Sequence, residues 1–233
     1  TGTGGGWYSG GKGEYRKTFR TPDAEVVKLH FDGVYQNSEI FINGKKAGQH
    51  AYGYTPFTVD ATPYLNPKGK DNEVLVTVDN SSQPNCRWYS GSGIYRHVWL
   101  QTMPAVHFAE NGIYIYTQDA DEDSATVNAE VTVVNESAVA KKITLTVAGM
   151  EQRSELAAGE AKTLGFTFEI DRPKFWSPDD PHMYTGSVSL TATAPYTAVT
   201  QRIKFGVRTI SFDAQDGFLL NGKPLLINGA CVH

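Results

Sequence analysis

Apolar residues recur at every second position along most of this chain. Val27, Leu29 and Phe31 alternate with Lys28, His30 and Asp32, and Val74, Val76 and Val78 are separated by Leu75 and Thr77. Side chains alternate across a strand, so a period of two builds one apolar sheet face that another layer must cover. No stretch longer than two turns reads convincingly as helix. The one helix-favouring segment, Glu151 to Lys162, is broken by Gly159 and lies between strand patterns, so it reads as strand and turn. The chain is therefore expected to be all-β and built from stacked antiparallel sheets.

Turn chemistry divides the strands. Asn43-Gly44, between Ser38–Ile42 and Lys45–Gly48, is a residue pair that tolerates positive φ at both centres of a two-residue hairpin. Asn221-Gly222, between Phe218-Leu219-Leu220 and the apolar Leu225-Leu226-Ile227, repeats the signal. Pro104 interrupts the ladder between two series of strands. The second series runs through Ile113–Tyr116, Val127–Val133, Ile143–Val147, Leu164–Ile170, Val188–Leu190 and Val199–Val207, which with the strand in Glu151–Lys162 makes about seven, in the manner of an immunoglobulin-like sandwich. After Phe212 a different unit is expected, and the sequence stops inside an apolar strand-like run, so a following domain is expected too.

With 233 residues, 40% of them hydrophobic, and 23 Gly and 11 Pro, two turn-rich sandwiches with real cores are affordable in length. The formal net charge of −4 and the lack of a dense Lys/Arg stripe oppose a phosphate backbone, so no nucleic acid partner is expected. No apolar run approaches the roughly 18 residues of a membrane-spanning helix, and Thr1–Gly6 has neither the basic end nor the apolar centre of a signal peptide. No membrane partner is expected.

Cys86 and Cys231 are too few for a disulfide scaffold and lack metal-ligand spacing, so two free thiols, no metal and no cofactor are expected. Asp119, Asp121, Glu122 and Asp123 form a charge run without the glycine and distal glutamate of a calcium loop; it reads as a solvated loop. Asp179-Asp180, between Pro178 and Pro181, reads as turn chemistry. Ser9–Gly13 lacks the spacing of a phosphate loop.

The richest segment is Arg87-Trp88-Tyr89-Ser90-Gly91-Ser92-Gly93-Ile94-Tyr95-Arg96. Aromatic faces stack on sugar rings while Arg, Asn and Asp bond hydroxyls, so such a loop suits a glycan. The plainer reading is an Arg96 ion pair and a Trp packed under a Gly-rich turn. The run from Trp88 through Leu100 resembles the signature that ends the N-terminal jelly-roll domain of family 2 glycoside hydrolases, which include β-galactosidases, β-glucuronidases and β-mannosidases. Further segments resemble that family in order. They are Gly6-Trp7-Tyr8 with Tyr15-Arg16-Lys17, Ile40–Gly48 with Gly53-Tyr54-Thr55-Pro56-Phe57, Phe175-Trp176-Ser177-Pro178 with Pro181-His182-Met183-Tyr184, Phe205-Gly206-Val207-Arg208, and Leu220–Pro224.

The resemblance implies a jelly-roll (galactose-binding-like) sandwich over 1–104, an immunoglobulin-like sandwich over 105–212, and over 213–233 the first hairpin and strand of a (β/α)8 barrel. It implies a parent enzyme that cleaves O-glycosidic bonds with retention, using two glutamates about 5 Å apart. In the family both lie on barrel strands beyond His233, so no residue here is expected to be catalytic. The loop after the Val74–Val78 strand reaches toward the barrel mouth in β-galactosidase-like relatives. Asp79, Asn80 and Arg87 are then candidates to contact sugar hydroxyls or brace the site, with Trp88 as a stacking group. His233 aligns with a histidine that ends the first barrel strand, although Cys231-Val232 stands where the family often has Asn-Arg.

The Ser92–Arg96 run leans toward a β-galactosidase. The expected partner is carbohydrate, in the intact enzyme with its barrel; homo-oligomerisation is left open, and export from a bacterium is expected. Two other readings stay open: an autonomous carbohydrate-binding module using Trp7, Tyr52, Tyr54 or Trp88 as a platform, and a structural adhesive sandwich pair.

Overall fold

The alternation becomes two faces of a sheet wherever the chain runs straight. The structure, a computed structural model, describes residues 10–82, 90–193 and 197–231. Contacts divide the chain into two units that meet at Pro104 and Ala105.

The first unit contains β1 (Lys12–Arg20), β2 (Val26–Phe31), β3 (Val34–Tyr35), β4 (Ser38–Ile42), β5 (Lys45–His50) and β6 (Phe57–Asp60). It continues with β7 (Asp71–Asp79), β8 (Gly93–Ile94) and β9 (Val98–Met103). One sheet has the order β1-β7-β4-β5, a second β6-β2-β9, and β3 pairs β8. These strands pair antiparallel throughout. Val27, Leu29 and Phe31 from one sheet meet Ile40, Ile42, Val76 and Val78 from another in a single buried cluster. Each such side chain contributes about 1.5–3 kcal/mol on leaving water.

Strand β1 lies at the edge of its sheet and is studded with Lys12, Glu14, Arg16, Lys17 and Arg20, charges that discourage a further strand from pairing there. At the β4–β5 turn Asn43 and Gly44 have φ of 51° and 76°, as the sequence requires of them.

The second unit contains β10 (Val106–Ala120), β11 (Ser124–Asn135), β12 (Lys141–Val147), β13 (Met150–Leu156), β14 (Ala161–Asp171), β15 (Tyr184–Ala192) and β16 (Thr197–Phe205). These form sheets β10-β11-β14 and β13-β12-β15-β16. Ala129, Val131 and Val133 face Ile143, Leu145, Val147, Val188 and Leu190 across a shared core. Glu151–Lys162 is strand, turn and strand, with Gly159 at φ 73°.

A small sheet, β17 (Ile210–Asp213), β18 (Gly217–Leu220) and β19 (Lys223–Pro224), completes the unit. Its turn residue Asn221 clamps it to the sandwich: the side-chain amide donates to the Trp176 carbonyl at 3.0 Å, and its oxygen accepts from the Thr209 amide at 3.0 Å. The Arg208 guanidinium lies 4.9 Å from the Trp176 ring centre. A Cβ on Gly206 would come within 2.8 Å of Trp176 Cβ, so that position needs glycine. The Trp-Ser-Pro segment is thus a structural seat.

The hairpin forms as expected at Asn221-Gly222, but its apolar continuation does not extend the ladder. The Leu225 amide still donates to Phe218 at 2.9 Å, and then residues 225–231 form no strand. Among the described residues the β18–β19 ladder ends at the Leu219–Pro224 pair, and Leu226 and Ile227 belong to no strand. Both are strongly exposed.

Buried asparagines close the ends of the sandwiches. Asn72 donates to the Thr21 hydroxyl at 2.8 Å and accepts from the Asn66 amide at 2.8 Å and the Asn43 side chain at 2.9 Å. Asn135 donates to the carbonyls of Val139, Leu156 and Ala157 at 2.9, 3.2 and 2.9 Å and accepts from Ser137. It is wholly buried. Asn135→Ala strands those carbonyls and is expected to cost about 1–3 kcal/mol, lowering the melting temperature by about 4 °C per kcal/mol for a unit of this size. Differential scanning calorimetry checks this; an unshifted transition would show that water replaces the amide without loss.

Candidate functional site

The alternation that buries Val76 and Val78 continues past the end of β7. It puts Asp79 on the outward side with Thr77 and Asn80 on the inward side. Asp79 Oδ2 lies 3.1 Å from Lys12 Nζ, its register partner on β1. Its Oδ1 accepts from the Ser81 hydroxyl at 2.6 Å and the Ser81 amide at 3.0 Å. The Ser81 hydroxyl and amide, and then Lys12, hold the carboxyl down to about 2. Asp79 is thus an ionised acceptor with part of its surface in water. Asn37, at φ 46°, donates from its side chain to the Asp79 carbonyl at 3.1 Å.

Asn80 is 1% exposed. Its amide donates to the Gly11 carbonyl at 2.8 Å, its side-chain nitrogen donates to the Ser92 hydroxyl at 2.9 Å, and its side-chain oxygen accepts from Gln36 at 3.3 Å. Residues 80 and 92 flank the segment bearing Arg87 and Trp88, so this bond staples the foot of that segment. Asn80 is placed to brace. Arg87, Trp88 and His233 themselves lie outside the described residues, so of the five candidates the structure brings together Asp79 and Asn80. On the far side of Ser92, Arg96 lies over the Tyr95 ring at 5.4 Å, and the Tyr95 hydroxyl donates to the Gly53 carbonyl at 2.7 Å.

Beside Asp79 opens a cleft of about 540 Å³ across the outer face of β1-β7-β4-β5, lined among others by Lys12, Glu14, Asn37, Glu39, Gln49 and His50. Rows of paired residues supply it: Glu14 lies opposite Thr77, Thr77 opposite Glu39, and Glu39 opposite Gln49. His50 stacks on Phe57 with centroids 4.5 Å apart, and its Nε2 lies 2.9 Å from the Thr55 hydroxyl. Such an array suits hydroxyl-rich ligands.

Proton donation is another matter. A general acid needs a raised pKa, whereas the carboxyls that clearly depart from their ordinary range, Asp79, Asp121 and Asp213, all move down through N–H or O–H donors. In Asp121 those donors are the Ser124 and Asp123 amides, so the acidic run is a hydrogen-bonded turn. Asp180 likewise closes a turn with Ser177. No cluster of three metal-ligating side chains occurs among the described residues, and no helix there is long and apolar enough to cross a membrane.

The outward row Glu14, Thr77, Glu39 and Gln49 is not among the residues singled out from the sequence. It follows from register, which a sequence read one strand at a time does not disclose. The burial of Asn80 did have a signal, the unbroken spacing Val74, Val76, Val78, Asn80.

Residues 8–104 match the family described as "Glycosyl hydrolases family 2, sugar binding domain", and residues 106–208 match "Glycosyl hydrolases family 2". The chain is 41% identical to the beta-galactosidase BoGH2A of Bacteroides ovatus, a match covering 100% of this chain and 29% of that protein. It is 31% identical to a beta-glucuronidase of Bacteroides fragilis, covering 97% of this chain and 35% of that one. Among solved structures, a glycosyl hydrolase family 2 member from Bacteroides cellulosilyticus superposes with a TM-score of 0.84 at 33% identity, over 98% of this chain and 31% of that chain. A Bacteroides uniformis beta-glucuronidase superposes at 0.82 with 29% identity, over 97% and 30%. The chain therefore spans about a third or less of the length of these relatives. With the sugar-binding domain and the sandwich matched in chain order over nearly all its residues, this chain belongs to glycosyl hydrolase family 2.

Proposed function

We propose that this chain supplies the accessory β-sandwiches of a retaining β-galactosidase-like enzyme, with domains over 1–104 and 105–212 and with 213–233 opening the catalytic barrel. The observation that carries this is 41% identity along the whole chain to a beta-galactosidase of which it spans 29%. The two catalytic glutamates of such a mechanism would stand on barrel strands. In this reading Asp79 accepts from sugar hydroxyls or braces the site, Asn80 fixes the foot of the loop that presents Arg87 and Trp88, and His233 joins them from the end of the first barrel strand. Carbohydrate is the partner, and export from a bacterium belongs to the same proposal.

Assays with nitrophenyl glycosides test it. The 233-residue chain alone should release no nitrophenol, and the product extended through its downstream coding sequence should cleave the β-galactoside faster than the β-glucuronide, with retention. Turnover by the chain alone, or an inert extended product, would sink the proposal. In the extended product Asp79→Asn should lower kcat/KM about tenfold, equal to ~1.4 kcal/mol of transition-state binding.

Ionisation of Asp79 has its own check. The carboxyl is depressed below its unfolded value of about 3.9, so the stability it adds is complete above about pH 4 and lost as the pH falls toward 2. An NMR titration should place its inflection at about 2, and Ser81→Ala should move it up; equal inflections in both proteins would remove Ser81 as the cause.

A further inference from the structure

We propose that the outward face of the β10-β11-β14 sheet is a carbohydrate-binding surface for a neutral glycan chain, separate from the Asp79 site and independent of the accessory role. The outer face of a sandwich sheet is ordinarily polar, yet Tyr114 stands on this one with 60% of its surface exposed. It stacks against Tyr116, two residues along the same side of β10, with centroids 5.1 Å apart and planes inclined by 27°. Each ring covers one face of the other, which leaves the remaining face of Tyr114 turned to solvent. An exposed aromatic face of this kind receives the C–H face of a pyranose.

The polar groups needed for orientation stand beside it. Glu130 is the register partner of Tyr114, and the Tyr116 hydroxyl donates to Glu130 Oε1 at 3.4 Å. On the other side of Glu130, across β11, its partner is Gly165, where a Cβ would meet nothing within 4 Å. The carboxylate therefore borders an open notch one residue wide. Farther along, Asn128 donates to Gln118 at 2.8 Å and accepts from the Thr167 hydroxyl at 2.7 Å, which fixes the side-chain amide in place. Groups already held by one another lose little freedom when a ligand arrives.

The charges on these rows and on the next, Asp119-Thr126-Glu169, are Glu130, Asp119 and Glu169, all acidic. They accept from hydroxyls and repel uronate or sulfate, so the surface selects neutral sugars. A protein partner fits poorly. A stable interface needs about 800 Å² from each side with an apolar centre, whereas the apolar part of this face is one stacked tyrosine pair between hydroxyls and amides.

Affinity electrophoresis of the 233-residue chain tests the proposal, using gels containing galactomannan, xyloglucan, arabinogalactan or polygalacturonate. At least one neutral polysaccharide should retard the chain and polygalacturonate should not. Tyr114→Ala should abolish the retardation, and Glu130→Gln should weaken it several-fold, while Glu155→Gln on β13 of the other sheet leaves it unchanged. Circular dichroism melting of each variant separates loss of binding from loss of fold. Passage through every neutral gel at the unretarded rate overturns the proposal, as does retardation that survives Tyr114→Ala in a folded variant. Retardation lost with Glu155→Gln assigns the binding to the other sheet and also overturns it. Sedimentation showing self-association that Tyr114→Ala removes, without retardation by sugar, replaces it with a contact between copies.

Discussion

A β-sandwich satisfies its backbone only inside the ladders, and where the chain crosses from one sheet to the other the amides and carbonyls need other partners in places water cannot reach. In this chain buried asparagines meet that need. Asn72 gathers the Phe19–Thr21 and Asn66–Lys70 crossings, and Asn135 holds the carbonyls of Val139, Leu156 and Ala157. Asn80 joins Gly11 at the start of β1, Gln36 before β4, and Ser92 ahead of β8. Each carboxamide offers two donors and an acceptor in one plane. That explains why a short, polar, seemingly solvent-loving residue occupies the driest positions at the sheet ends.

The functional candidates depend on the same device. Asp79 is aimed outward because Asn80, its neighbour, is locked inward; the two residues are opposite faces of one strand end. The Ser81 clamp then keeps the outward carboxylate ionised, and Lys12 on the edge strand balances it. The resulting surface sets an ionised carboxylate beside a cleft lined by amides, carboxylates and a hydroxyl, and the carboxyls of Asp79, Asp121 and Asp213 are all lowered by N–H or O–H donors.

Much of the fold was legible in the sequence. The alternations Val27-Leu29-Phe31 and Val127-Ala129-Val131-Val133 are core faces, because a period of two has one structural meaning. Both Asn-Gly pairs adopt positive φ, because few other residues relieve the strain of that turn. Leu225–Ile227 has the composition of a strand yet forms none here, because the ladder of β18 and β19 ends at the Leu219–Pro224 pair. Propensity alone cannot supply a neighbour.

The site divides along the same line. The ordered motifs from Gly6 to Pro224 carry the family resemblance, and the spacing from Val74 to Asn80 already implies which of Asp79 and Asn80 faces the core. These follow from local stereochemistry, which is written into consecutive residues. The Asn80–Ser92 staple, the Glu14-Thr77-Glu39-Gln49 row and the Tyr114-Glu130-Gly165 row join residues 10 to 63 positions apart. Only the pairing of strands decided them, since sheet register is set by the simultaneous packing of both faces and not by any one segment.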